Sequence, residues 1–220
     1  MDPNAFLAAL PSHWDDFPLS ELPRDARFAD VLAQVPGLTR ANNLALLNVA
    51  ASQLAPGEAY VEVGSFRGTS LIAAMLGNEE KSFIAIDDFS MRDASRRALE
   101  DNLRRFGLDG VRILEGDAFA ILRDDFLPRE SVGVYYYDAA HSYEQQLDGL
   151  RLAEPYLAAR ALLIVDDTDW DFVAEATKDY LAMEPRARLI LELSGKKAGR
   201  PAWWEGVQVL AWRAAAEVSR

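Results

Sequence analysis

Two acidic strand ends and one histidine carry the chemistry this sequence could do. The run VYYYDAAHSYEQQ, residues 134–146, is apolar and aromatic until Asp138, and His141 follows three residues later. A second apolar run, ALLIVDD (161–167), ends in Asp166 and Asp167. Asp138, Asp166 and Asp167 together could hold a hard divalent cation, because oxygen-only ligation suits Mg²⁺, Ca²⁺ or Mn²⁺ rather than zinc. His141 is one of two histidines in the chain, and an imidazole with an unperturbed pKa near ~6.5 can accept a proton at neutral pH. Each has a plainer reading. Asp138 could cap the following helix, Asp167-Thr168-Asp169 could cap one beginning near Trp170, and His141 could close a first helical turn. His13, isolated in a proline-rich arm, reads as a surface residue.

The segment VEVGSFRGTS (61–70) offers a second kind of chemistry. It reads as strand, tight turn, helix, with Gly64 free to take a positive φ and Gly68 allowing close backbone approach. The first N–H groups of that helix, with Thr69 and Ser70, would seat an anionic group. The spacing is G-x-x-x-G rather than the G-x-G-x-x-G of a dinucleotide pyrophosphate site. Asp87 and Asp88 end the next strand, about 20 residues further on, where an acid can bind ribose hydroxyls. EGDAF then brings Asp117 to a position where an adenine amino group could be met.

These residues need elements to position them. Candidate strands cover 58–64, 82–87, 111–116, 131–138 and 161–167, alternating with helices over Thr69–Leu76, Met91–Phe106 and Tyr143–Leu157. Near-continuous apolar strands alternating with helices imply a parallel sheet covered on both faces. Two further strands, RARLILEL and GVQVLAWR, have no helix between them and should pair antiparallel at one edge. Ligands bind outside the carboxyl ends of such strands. Four of the five parallel strands carry an acid there, and the first carries Glu62 just before its glycine turn. Within the YYY run, Tyr136 must face opposite to Tyr135 and Tyr137. The first 57 residues read as helices and loops, including one helix capped by Thr39 with an apolar face of Ala41, Leu44, Leu47, Ala51 and Leu54.

In order, Glu62-x-Gly64-x-x-x-Gly68, Asp87, Gly116-Asp117-Ala118 and Asp138 resemble the motifs of class I S-adenosylmethionine (SAM)-dependent methyltransferases. The resemblance spans roughly residues 58–213. It implies a Rossmann-like, mostly parallel seven-stranded α/β sheet with an antiparallel last strand and helices on both faces. Outside that span, the helical N-terminal extension over 1–57, with Trp14 and Phe17, could form a lid or a subunit contact in a homo-oligomer. The resemblance implies that Gly64, Ser65 and Phe66 line the cofactor, with Ser70 near its methionine carboxylate. Asp87 would hold the ribose, and Asp117 with Ala118 the adenine. An acid ending the fourth strand and an acidic pair ending the fifth look like the Mg²⁺ site of small-molecule O-methyltransferases of the catechol and macrolide-sugar types. The D-x-x-H-x-Y run from Asp138 to Tyr143 is closest to the sugar branch. One departure is that Leu157-Ala158-Ala159-Arg160 stands where the family often has a Gly-Gly turn.

The expectation is therefore a methyl transferase acting on a hydroxyl of a small molecule, assisted by Mg²⁺. Its rivals are a metal-free enzyme using His141 as base, a SAM-binding protein without turnover, and a nicotinamide-dependent oxidoreductase, which the glycine spacing disfavours. The loop SGKKAGRPAWWEG (194–206) could close over the acceptor, with Trp203 or Trp204 stacking on its ring; alternatively these tryptophans pack on the sheet edge. A formal charge of −12 disfavours nucleic acid or an acidic membrane surface as partner. There are no cysteines, which excludes disulfides and thiolate chemistry and accords with a cytoplasmic protein. The N-terminus has no signal-peptide pattern.

Overall fold

The computed structural model describes residues 1–124, 127–195 and 202–214. Seven strands form one sheet in the order β3-β2-β1-β4-β5-β7-β6. They are β1 (Ala59–Val63), β2 (Ser82–Asp87), β3 (Arg112–Glu115), β4 (Val132–Tyr137), β5 (Leu157–Asp166), β6 (Ala187–Leu193) and β7 (Val207–Arg213). The first five are parallel, and β7 runs antiparallel to both β5 and β6. The strand order reverses about β1 and β4, so the crevice expected of an open α/β sheet lies beyond their carboxyl ends.

Alternation along the strands divides the core into two layers. Tyr60, Phe83, Val134, Tyr136, Leu162 and Ile164 face one layer, while Val61, Ile84, Tyr135, Tyr137 and Leu163 face the other. Tyr136 thus faces away from its two neighbours, as a period of two requires. Helices α1 (Pro3–Ala9), α2 (Arg27–Gln34), α3 (Ala41–Ser52), α4 (Thr69–Met75) and α5 (Arg96–Arg105) supply the first layer. Helices α6 (Ala118–Arg123), α7 (Tyr143–Ala153) and α8 (Asp171–Met183) supply the second.

Several boundaries differ from the sequence reading, each for a local reason. α5 starts at Arg96 rather than Met91, because the Ser95 hydroxyl oxygen accepts from Ala98 N at 3.1 Å and sets the cap there. α7 ends at Ala153, and Pro155 lies in a short 3₁₀ turn before β5. Leu157 to Arg160, read as a turn, are the first residues of β5, and Arg160 pairs with Arg213 of β7. α3 is capped at Arg40, not Thr39, without a side-chain bond, and the Thr39 hydroxyl is buried and unpartnered. Nor does α3 show a single apolar face: Asn42 and Asn43 are buried along with Leu44, Leu46 and Leu47. The reason is that Phe6, Leu10, Trp14, Phe28 and Val31 join the same core. Asn42 is satisfied there, accepting from Trp14 Nε1 at 2.8 Å. No helix among the described residues is long and apolar enough to cross a membrane.

Candidate functional site

At the carboxyl ends of the parallel strands lies a cavity of about 820 Å³. One half is walled by Gly64, Ser65, Phe66, Asp87, Asp88, Asp117, Ala118 and Phe119, and the other by Asp138, His141, Asp167, Trp170 and Trp204. Gly64 has φ +92° and stands against β4, where a Cβ would lie 1.7 Å from the Asp138 carbonyl oxygen. Only glycine permits the two central strands to end this close together. This contact joins the two halves.

The first half is shaped by Asp87. Its two carboxylate oxygens accept from Phe66 N at 2.7 Å and Phe89 N at 2.6 Å. Phe66 and Phe89 have φ of +49° and +52°, a region that is costly for bulky residues and clusters at functional sites. Asp87 thus holds two strained turns on either side of itself, and its remaining lone pairs stay available to ligand hydroxyls. Asp117 Oδ1 accepts from Phe119 N at 2.9 Å, capping α6. Asp88 likewise caps its own turn through Ser90 N at 2.8 Å. The Ser65 hydroxyl is buried on the wall with no partner.

Two residues expected on this wall lie behind it. Glu62 is fully buried and accepts from the hydroxyls of Ser70 and Tyr60, each at 2.9 Å. Burial pushes its carboxyl up to about 7, against the pull of those two bonds. Gly68, at φ +88°, serves the N-terminus of α4, where a Cβ would lie 2.4 Å from Leu99 Cδ1. Thr69 and Ser70 do face the cavity, although the Thr69 hydroxyl donates to Val35 O at 2.9 Å.

The second half gathers Asp138, His141 and Asp167, whose ligand atoms all lie within 4.8 Å of one another. His141 Nε2 is 2.7 Å from Asp167 Oδ2, yet its orientation makes no hydrogen bond, and Asp167 Oδ1 is buried without a partner. Asp167 sits just past β5 at φ +54°, which turns its side chain onto the rim. The His141 ring lies 5.1 Å from that of Trp170. Burial, then the charge of Asp167, pushes Asp138 up to about 8. Asp166 stands apart from this group. Its Oδ2 accepts from the Tyr136 hydroxyl at 2.6 Å, and burial followed by the charge of Asp138 raises it far above the usual carboxylate range.

The two tryptophans part company. Trp203 is 3 % exposed, packs on Trp14 and Phe17 with ring centroids 5.7 and 6.1 Å away, and donates Nε1 to Pro18 O at 3.0 Å. It belongs to the core and cannot meet a ligand. Trp204 is half-buried on the cavity wall. Lys196, Lys197 and Arg200 of the same loop lie outside the described residues. Sequence reasoning did not find Gly37, Leu38, Thr39, Met91, Phe119 and Trp170, all of which line the cavity. No periodicity marks them, since they sit in turns or at helix starts; a turn at Pro36-Gly37 was the one local signal that could have drawn attention to the first three, though not to their place on the wall.

Residues 61–168 match a family model described as a methyltransferase domain. No curated protein matches the chain in sequence. Among solved structures it is similar to a Corynebacterium glutamicum protein at 16% identity and TM-score 0.66, covering 97% of this chain and 98% of that one. It is also similar to the O-methyltransferase TomG from Streptomyces achromogenes, involved in tomaymycin synthesis and solved with SAM. That match has 15% identity and TM-score 0.65, covering 97% of this chain and 100% of TomG. An O-methyltransferase from Bacillus cereus, solved with SAH (S-adenosylhomocysteine), shares 16% identity at TM-score 0.61, covering 93% and 97%. Identities this low establish a shared fold.

Proposed function

We propose that the chain is a class I SAM-dependent methyltransferase that methylates a hydroxyl of a small molecule with the help of a divalent cation, a reading supported by the match of residues 61–168 to a methyltransferase-domain model. The observation that carries this reading is the convergence of Asp138, His141 and Asp167 beside Gly64. A buried Asp167 Oδ1 and a His141 Nε2 without hydrogen bonds are the kind of donor atoms a cation would satisfy. The donor set differs from the all-carboxylate site expected for Mg²⁺, because an imidazole replaces Asp166. Two carboxylates and an imidazole favour Mn²⁺ or a later divalent metal over Mg²⁺.

SAM, when bound, supplies an electrophilic methyl group on a sulfonium. A cation held by Asp138, His141 and Asp167 would lower the pKa of the acceptor hydroxyl. The protein's own task is to orient, to exclude water and to manage one proton. Asp87 offers oxygens to the ribose hydroxyls, Phe66 and Phe119 flank the purine side, and Asp117 with Ala118 ends it. Trp204 and Trp170 supply flat apolar surface at the acceptor side. The carboxylates of Asp87, Asp88, Asp117 and Asp167 on the cavity wall give the site a negative field that suits a cationic cofactor. On the same reading the partner is a small hydroxylated acceptor, not nucleic acid or membrane, and the setting is the cytoplasm.

A second reading rests on one distance. His141 Nε2 at 2.7 Å from Asp167 Oδ2 is also the spacing of a carboxylate-held general base, which would need no metal. The test is methyl transfer to a panel of hydroxylated compounds after EDTA treatment, followed by return of Mn²⁺ or Mg²⁺. Loss of activity restored best by Mn²⁺ supports the cation. Activity indifferent to EDTA but abolished in His141→Ala supports the base.

A further inference from the structure

Tyr136 is 2 % exposed, yet its hydroxyl lies between two acids. It is 2.6 Å from Asp166 Oδ2 and 3.1 Å from Asp138 Oδ2. The register explains the meeting. Tyr136 pairs with Ile164 across β4 and β5, so Asp138 and Asp166, each two residues further on, point to the same face as the Tyr136 ring. Asp167 follows on the opposite parity and at positive φ, and reaches the rim instead.

The chain of contacts continues. Asn43 of α3, 2 % exposed, places its Nδ2 3.5 Å from Asp166 Oδ1, and its Oδ1 accepts from Trp204 N at 3.0 Å. A buried path thus runs from Asp138 through Tyr136, Asp166 and Asn43 to the backbone of Trp204. Asn43 and Trp204 both lie outside the segment that matches the methyltransferase-domain family.

We propose that Tyr136 is a positioning residue for the cation site, and that Asp166 tethers Tyr136 rather than serving as a ligand. This rests on the metal-assisted reading above. A carboxylate ligand must be held in one rotation to present one oxygen, and partners behind a metal ligand commonly do this. The Tyr136 hydroxyl lies against Oδ2 of Asp138, its one hydrogen shared between that oxygen and Asp166 Oδ2. Asp166 holds the hydroxyl from its other side, and Asn43 fixes Asp166 while pinning the Trp204 loop. The acceptor wall and the cation site are therefore set by one buried network.

The experiment is Mn²⁺ titration by calorimetry on the full chain in the presence of SAH, with SAH affinity measured separately. Tyr136→Phe keeps the ring and removes the hydroxyl; it should weaken Mn²⁺ binding about tenfold with SAH affinity unchanged. Asp166→Asn keeps a group able to bond the hydroxyl and should stay within about threefold of the wild type, whereas Asp167→Asn should lose tenfold or more. Unchanged SAH affinity separates a positioning role from general damage to the fold. Tyr136→Phe binding Mn²⁺ as tightly as the wild type would overturn the proposal. So would Asp166→Asn falling as far as Asp167→Asn, since that would make Asp166 a ligand. A wild-type chain that binds no Mn²⁺ defeats the metal reading itself and this inference with it.

Discussion

Glu62→Gln should make the protein more stable, and only above mildly acidic pH. Glu62 is fully buried, and the side chains that bond it, Ser70 and Tyr60 among them, are neutral hydroxyls. Burial raises its carboxyl from 4.5 to about 7. A carboxyl whose pKa is raised on folding contributes stability that is fully present below the unfolded value, near 4.5, and is lost as pH rises through about 7. At about 1.4 kcal/mol per pH unit between those values, the loss by pH 8 is roughly 3 kcal/mol. Glutamine has the same shape and does not titrate. Its oxygen can accept from one hydroxyl and its amide can donate to the other. Thermal melts of both proteins between pH 5 and 8 would test this, because Glu62 is the one group the substitution removes from titration. The variant's melting temperature should gain on the wild type by about 5–10 °C across that range, at roughly 2–4 °C per kcal/mol for a chain of this size. A difference that stays constant from pH 5 to 8 would refute the reasoning.

Gly64→Ala puts a Cβ 1.7 Å from the Asp138 carbonyl at a φ of +92°, so β1 and β4 must part. SAH binding by calorimetry should be abolished. Trp203→Ala should cost about 3–5 kcal/mol in urea denaturation, as for a buried aromatic, while Trp204→Ala should change stability little and raise the KM for the acceptor. Equal effects of the two substitutions on stability would undo the division drawn between them.

The fold was legible because its signals are local and periodic. Apolar strands, glycine turns and acids at strand ends need no tertiary information, and they place Gly64, Asp87, Asp117 and Asp138 along one edge of a parallel sheet. The same signals located the antiparallel pair at the end of the chain. The wall made by Gly37, Leu38 and Thr39 was not legible, because residues far apart in sequence meet there through packing of α2, α3 and α4. The apolar face assigned to α3 failed for the same reason. A helix covered on every side has no polar stripe to reveal its orientation.

Near the reacting end, sequence determined which residue types arrive and structure decided which of them meet. Asp166 and Asp167 are adjacent and identical in type, so composition cannot separate them. Strand parity sends Asp166 into the core beside Tyr136, and one residue of positive φ turns Asp167 to the rim. Trp203 and Trp204 are separated likewise, one held among Trp14 and Phe17 and the other open to the cavity. In each pair the chemistry is equal, and the direction of a single backbone step settles which side chain reaches the site. His141 entered as a base, and only the fold brought it within 4.8 Å of Asp138 and Asp167.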